Sequence, residues 1–246
     1  MFAKEFCRTT PVFLAFFLFL TPIIKGEERK MLYGETLCDN PDFRCLTVKE
    51  TIMAKEIKTK KGIKKTEVKV TQTWAELWPD QHEREIVMKV NRLNIKLKPG
   101  MIIAMPNDLT NKTFMDFSPY PKETDSLGEK FLIFNPKLLA WAAYDAEGKL
   151  VRWGPAVGGK KGKLTVVGNF HIIKKSGPKC RSGKYNAPMP WAMFFHKSGY
   201  AFHGSPNVPG KNASHGCVRL FNEDAEWLNK NFVEIGIEVI IRPYTE

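Results

Sequence analysis

Cys217 stands in the run Ser214-His215-Gly216-Cys217-Val218-Arg219, with His203-Gly204-Ser205 a short loop upstream. Those residue types supply what a cysteine nucleophile needs. A thiolate attacks a carbonyl carbon where a thiol hardly does, and a nearby imidazole accepts the sulfur's proton and stabilises the anion as an ion pair. Gly216 lets backbone amides approach a developing oxyanion with no side chain in the way. Two other readings use the same residues. His203, His215 and Cys217 could be three zinc ligands with an open fourth position, and a cysteine by itself is often only a small buried hydrophobe.

The elements around this constellation must bring an imidazole to a sulfur fourteen positions later. Tyr200-Ala201-Phe202 reads as a strand leading into His203, and Asn207–Asn212 as a loop that folds back, which sets His203 beside Cys217. Upstream the pattern is mainly β. Phe131–Phe134 and Leu138–Tyr144 are apolar and aromatic, Ala146-Glu147-Gly148-Lys149 is a turn, and Leu150–Val157 returns as a hairpin partner. Asn169–Lys174, Met193–His196, Tyr200–His203 and Glu238–Arg242 are further strands. One helix is expected from Glu223 to Ile235, with Asn222 as N-cap, acidic residues in its first turn, an apolar stripe of Ala225, Leu228 and Phe232, and Gly236 ending it. The expected fold class is a mainly β catalytic domain, a sandwich-like pair of sheets with one C-terminal helix over residues 130–243, preceded by a small α/β module.

The His-Gly-Ser and Ser-His-Gly-Cys-x-Arg runs resemble the signature of the YkuD-type (ErfK-type) L,D-transpeptidase family. Gly158-Gly159, Thr165 to Phe170, and Met189-Pro190-Trp191 leading to Phe194 are similar to it as well, so the resemblance spans about Lys130 to Arg242. The loop from His203 to Ser214 is short for the family and Val166 replaces a frequent proline; neither difference touches a catalytic atom. The resemblance implies Cys217 as nucleophile and His203 as general base, its imidazole oriented by the backbone at Gly204. It implies an oxyanion site shaped by His215 and the amides of Gly216 and Cys217, with Ser214 beside them. Arg219 would add positive potential or hold a peptide carboxylate, the alternative being a structural ion pair; Trp191 and Tyr200 would be cleft walls or ordinary core aromatics. Neither a metal nor any other cofactor is required by this scheme.

The implied reaction is acyl transfer on peptidoglycan, in cell-wall biogenesis and maintenance of cell shape. Cys217 would attack a stem tetrapeptide, release D-alanine and hold the acyl group as a thioester. An amine would then take it, giving a 3→3 cross-link or an anchored wall protein. Water as acceptor would make the enzyme an L,D-carboxypeptidase, and a non-catalytic peptidoglycan-binding protein is the other class of reading. The implied partners are peptidoglycan stem peptides and glycan, with carbapenem-type β-lactams as covalent inhibitors.

Lys4 and Arg8 precede the apolar run Val12–Leu20, followed by Pro22 and Gly26. That is the pattern of a secretory signal peptide over residues 1–26, so the expected location is the periplasm or cell envelope. Without the leader the formal charge falls from +12 to about +10, still strongly basic and suited to anionic partners. Export makes nucleic acid the least suitable of these. Cys38 and Cys45 bracket a short loop in an extension over residues 27–67, and an oxidising compartment favours their pairing. Residues 68–107 resemble a LysM domain in Thr73-Trp74-Ala75-Glu76-Leu77, Asn91-Arg92-Leu93-Asn94, Leu97-Lys98-Pro99-Gly100 and Ile103-Ala104-Met105-Pro106, although Trp78 to Glu85 is longer and more charged than that pattern. Thr73 and Glu76 have capping-box spacing. Glu50 to Lys69 reads as an exposed hairpin or a tether, and residues 108–129, rich in Asn, Asp, Pro, Thr and Ser, as a linker or lid.

Overall fold

Cys38 and Cys45 are disulfide-bonded, with their Cα atoms 5.7 Å apart, closing a loop near the start of the described residues. The computed structural model describes residues 31–59 and 62–245. The leader expected over residues 1–26 therefore lies outside the described residues.

The amino-terminal module is built from β1 (Phe43–Thr47), β2 (Glu50–Thr59), β3 (Gly62–Thr71), α1 (Trp74–Leu77), α2 (Gln81–Val90) and β4 (Ile102–Pro106). Its two-stranded sheet joins β1 to β4 antiparallel, from Phe43 opposite Pro106 to Thr47 opposite Ile102. The first strand is thus β1 rather than the segment beginning at Val68. Val68 lies in β3, which pairs with β2 along its whole length and is tied to it by Lys69–Glu50 at 3.0 Å and Lys65–Glu56 at 3.6 Å. The capping box at α1 is present, with Glu76 N–H donating to Thr73 Oγ1 and Thr73 N–H to Glu76 Oε2. Helix α2 turns Ile86, Val87 and Val90 inward, and Val87 packs with Trp78, Leu93, Leu97 and Ile103.

The carboxy-terminal half contains β5 (Phe131–Asn135), β6 (Ala140–Tyr144), β7 (Leu150–Val157), β8 (Gly168–His171), β9 (Lys174–Lys175), β10 (Met193–Phe194), β11 (Ala201–Gly204), β12 (Val218–Leu220), α3 (Asn222–Trp227) and β13 (Glu238–Ile241). The strands form one sheet in the order β8-β13-β5-β6-β7-β12-β11-β10-β9. A pair of facing sheets was the expectation, and β12 is the reason for the difference. It runs antiparallel to β7 and parallel to β11, and so stitches two arms into one sheet. The arms share a core: Leu132, Phe134 and Val239 from one side meet Met193, Phe202, Val218 and Leu220 from the other, with Ala225 and Leu228. Helix α3 is shorter than the span 223–235. Its N-cap is Phe221, which makes no side-chain bond, and Leu228–Phe232 continues as a single wider turn.

Residues 108–129 are laid against the sheet rather than left as a tether. Tyr120 is buried, with Oη donating to Ala140 O at 2.7 Å, and Trp153 Nε1 donates to Phe114 O at 2.9 Å. The polar composition of the stretch hides three aromatic residues, Phe114, Phe117 and Tyr120, that pack in one cluster with Phe131, Ile133 and Trp153.

Both halves lie in one compact unit from residue 31 onward. Lys89 on α2, fully buried, donates to both carboxylate oxygens of Asp224 on α3 at 2.8 and 2.9 Å, and Arg152 Nη2 donates to the same carboxylate at 2.9 Å. A charge in the interior is tolerable only with such partners. Arg92, also buried, donates to Leu138 O, Lys89 O and Val90 O, and its guanidinium lies 4.7 Å from the centroid of the Trp153 ring.

Candidate active site

Alternation along β11 and β12 decides which residues face the core. Phe202, Val218 and Leu220 are fully buried in it. Ala201, His203 and Arg219 therefore stand on the opposite face, as successive side chains along a strand alternate. The register pairs His203 with Arg219 and Phe202 with Val218, which carries Cys217 to the position beside Ala201. Cys217 and His203 are thus diagonal neighbours on one face of adjacent parallel strands.

His203 is buried, and its Nδ1 lies 2.8 Å from Gly204 O. A carbonyl only accepts, so Nδ1 carries the hydrogen and Nε2 is left with its lone pair free to take a proton. Burial, with a contribution from the Arg219 charge, lowers the His203 pKa to about 4 even though the Gly204 bond opposes the shift. The imidazole is therefore neutral at pH 7. Burial likewise pushes the Cys217 thiol up, and the Ala201 amide and Arg219 guanidinium pull it part of the way back. The free site rests as neutral thiol and neutral imidazole, not as the ion pair expected from the residue types. The sulfur donates to Gly199 O at 3.6 Å.

Glycines fix the loop that carries Cys217. Gly158 O accepts from Ala213 N–H at 3.1 Å and Ser214 N–H at 3.0 Å, and Gly158 N–H donates to Asn212 Oδ1 at 2.8 Å. A Cβ on Gly159 would lie 1.8 Å from Lys163 O, so only glycine permits this approach. Gly216 has φ +132 and sits against the Tyr200 ring, where a Cβ would come within 2.8 Å of Cε1.

Ser214 is buried and holds the turn closed. Its Oγ donates to Cys217 O at 2.5 Å and accepts from Gly216 N–H at 3.0 Å. The Gly216 amide is therefore engaged within the turn and is not free for an oxyanion. The Cys217 N–H has no acceptor among the described residues. Gly204 is buried, its N–H donating to Pro190 O at 2.8 Å.

The remaining expected residues fall into three places. His215 is exposed, with its ring 5.2 Å from that of Tyr185. Arg219 is half-buried and has no carboxylate partner among the described residues, so the ion-pair alternative has nothing to stand on there. Trp191 and Tyr200 are both half-buried against the main core; Trp191 has φ +58 and carries Lys230 Nζ over its ring at 4.7 Å. Two neighbours were not placed by sequence reasoning. Cys180 packs with Cys217 against Met189, Ala192 and Ala201, and Tyr185 meets His215 from the same loop. Neither lies in a regular element, so no periodicity pointed to them.

The surface hollows near Asn107 and Asp108 lie on the amino-terminal module, away from Cys217. Among the described residues no cluster of His, Cys, Asp and Glu could hold a metal ion.

Cys217 lies on the turn that enters β12, and His203 lies one strand over on β11. Residues 131–241 match the family model of the YkuD L,D-transpeptidase catalytic domain. Solved L,D-transpeptidases are also similar to this chain. That of Xylanimonas cellulosilytica is 24% identical over 64% of this chain and 77% of its own, with TM-score 0.49. One from Mycobacterium smegmatis is 16% identical over 60% and 76%, with TM-score 0.43. L,D-transpeptidase 3 of Mycobacterium tuberculosis, in complex with a faropenem-derived adduct, is 19% identical over 60% and 76%, with TM-score 0.43. No curated protein matches the chain.

Proposed function

We propose that the protein is an exported L,D-transpeptidase in which Cys217 is the nucleophile and His203 the general base. The observation that carries this reading is the β11–β12 register, which sets Cys217, His203 and Arg219 on one face away from the core, with the His203 tautomer fixed by Gly204 O. The family-model match over the same residues supports it.

In the proposed reaction Nε2 of His203 takes the thiol proton as sulfur attacks the carbonyl of a stem tetrapeptide ahead of its terminal D-alanine. Both groups start neutral, so the proton transfer belongs to the attack and is not completed beforehand. The Cys217 N–H stabilises the oxyanion. The imidazolium then returns the proton to the leaving amine, and D-alanine departs from a thioester. A second stem's amine attacks that thioester and the C–S bond breaks, the amine's surplus proton passing through His203 to the departing Cys217 sulfur, to give a 3→3 cross-link and the free thiol. Transfer to a wall protein or to water is the same step with another acceptor. Arg219, which has no carboxylate partner among the described residues, pairs with a substrate carboxylate. A β-lactam offers a carbonyl, here strained by its four-membered ring, near a carboxylate and acylates the same sulfur.

The remaining parts of the proposal concern placement. The basic leader and apolar run direct export to the periplasm or envelope, and the net positive charge favours a carboxylate-rich wall. The antiparallel pairing of β1 with β4, with α1 and α2 between them after the inserted β2-β3 hairpin, supports a LysM-like glycan contact by the amino-terminal module.

Intact-mass spectrometry after exposure to a carbapenem tests the reading. A covalent adduct on the wild type that is absent from Cys217→Ala is expected; an unmodified wild type would favour a non-catalytic binding protein. Incubation with disaccharide-tetrapeptide separates the acceptors, since dimer formation indicates cross-linking and tripeptide alone indicates hydrolysis.

A further inference from the structure

The stretch after His203 is held from the other half of the molecule. Ser205, Asn207 and Val208 lie in the loop that runs from the base toward the nucleophile, and three hydrogen bonds tie this loop to one residue, Asn94. Its Nδ2 donates to Ser205 O at 2.9 Å, its Oδ1 accepts from Val208 N–H at 2.8 Å, and its own N–H donates to Val208 O at 3.1 Å. An antiparallel bridge between Leu93 and Pro209, and a bond from Gly210 N–H to Arg92 O at 2.9 Å, extend the same seam.

Asn94 is held as firmly as the loop it grips. Arg92 has φ +56, a left-handed conformation unusual for a residue with a side chain. Its guanidinium caps carbonyls at the end of α2 and lies between the rings of Tyr33 and Trp153, 4.5 and 4.7 Å from their centroids. Just before it, Asn91 Nδ2 donates to Val87 O and Ala104 O, both at 2.7 Å, and its Oδ1 accepts from Ala104 N–H at 2.9 Å. This reversal directs the chain from α2 alongside the loop at 205–210.

We propose that Asn94, from the amino-terminal module, is a positioning residue for His203, so that the module is a structural part of the active site rather than only a wall-contacting appendage. The path is short. Gly204 O orients the imidazole, and the next carbonyl along the chain, that of Ser205, is the one Asn94 holds. Ser205 N–H donates to Leu220 O at 2.9 Å, leaving Asn94 to fix the far side of the residue. Releasing it lets the peptides after Gly204 turn and the ring follow. The charged group facing His203 is Arg219 on β12, and the titratable one beside it is Cys217.

This inference rests on the proposed role of His203, and its test separates the two. The full chain is compared as wild type, Asn94→Asp, which keeps the acceptor and loses the donor, and Asn94→Ala, which loses both. His82→Ala removes an exposed module bond, His82 Nε2 to Lys112 O at 2.7 Å, and serves as the control. The readouts are carbapenem acylation by intact mass and titration of the His203 ring by NMR. We expect acylation at saturating carbapenem to fall about tenfold in Asn94→Ala and less in Asn94→Asp, with initial binding changed less than twofold. The His203 midpoint should move up from about 4 toward the ordinary histidine value, while His82→Ala matches wild type. Wild-type acylation and titration in a folded Asn94→Ala would overturn the inference, as would a loss of rate that only tracks melting temperature with no shift of the ring. A wild type that forms no adduct refutes the proposed function, and the NMR titration still decides whether Asn94 positions the ring.

Discussion

The two arms of the large sheet are made differently. In the arm β13-β5-β6-β7, strands of four to eight residues are mostly apolar, and Leu132, Phe134, Trp141, Ala142, Ala143 and Trp153 are fully buried. In the arm β12-β11-β10-β9 the strands have two to four residues, and their positions depend on bonds from distant segments: Pro190 O to Gly204, Gly158 O to Ser214, Asn94 to Ser205 and Val208. The first arm draws its stability from buried area. The second gets accuracy of placement from polar contacts that are each worth little but are numerous and directional. The proposed chemistry sits on the second arm, so rate should be sensitive there and stability elsewhere.

The largest test of that division is His203→Gln. Removing a general base lowers rate by about 10²–10⁴-fold, and the carbapenem acylation rate of this variant should fall within that range while its thermal melt at pH 7 stays near wild type. A variant that acylates at the wild-type rate would detach the second arm from the chemistry altogether.

Asp224→Ala addresses stability at the joint between α2, α3 and β7. It leaves Lys89 buried with only Glu85, at 3.7 Å, as a carboxylate neighbour. Breaking a buried ion pair from one side costs about 3–5 kcal/mol, measured as a shift of the urea midpoint at constant slope. A loss below about 1 kcal/mol would mean that water reaches Lys89 and that the halves are joined less tightly than their contacts suggest.

The third test uses pH. The folded His203 pKa of about 4 lies below the ordinary 6.5 of an unfolded chain, so between those values the unfolded state binds a proton that the folded state refuses. Stability is therefore complete above pH 6.5, falls as pH drops through the window, and levels off near pH 4, with a span of about 3 kcal/mol for this group. His203→Gln should lack this component. Subtracting its pH-stability curve from that of wild type removes the carboxylate contributions common to both, and a flat difference between pH 7 and 4 would show that the ring is not desolvated. Activity keeps rising where this stability component is already complete: acylation should increase on the alkaline side, because the raised Cys217 thiol loses its proton only there.

The same contrast between arms explains what was legible in the sequence. Phe131–Phe134 and Leu150–Val157 were read as strands because continuous apolar runs with a Glu-Gly turn between hairpin partners are local signals. The His-Gly-Ser and Ser-His-Gly-Cys-x-Arg runs pointed to one constellation for a similar reason, since each is a short run of distinctive types. Val218–Leu220 was missed as a strand, because three residues carry no period, and with it the continuity of the sheet was missed. The engagement of the Gly216 amide by Ser214 Oγ was also invisible: hydroxyls of this type compete for backbone amides in ways that composition does not report. Lys89 was passed over because a lysine on a helix is by default solvated, and its partner lies 135 positions away. Trp191 and Tyr200, ambiguous by type, lie between core and surface in the fold.

The smallest effect is expected from Tyr120→Phe, which acts on the apolar arm alone. Its hydroxyl donates to Ala140 O at 2.7 Å, and burial raises its pKa far beyond the usual phenol range, so it is a neutral donor throughout the working pH. Phenylalanine keeps the ring that covers β6 and removes only the bond. The net contribution of such a bond is about 1 kcal/mol, with the cost of an unsatisfied carbonyl set against the gain of burying no hydroxyl. The urea midpoint should therefore fall slightly, and carbapenem acylation should not change. If the rate falls as well, strain in the apolar arm reaches Cys217 through β7 and β12, and the separation of stability from placement between the two arms is wrong.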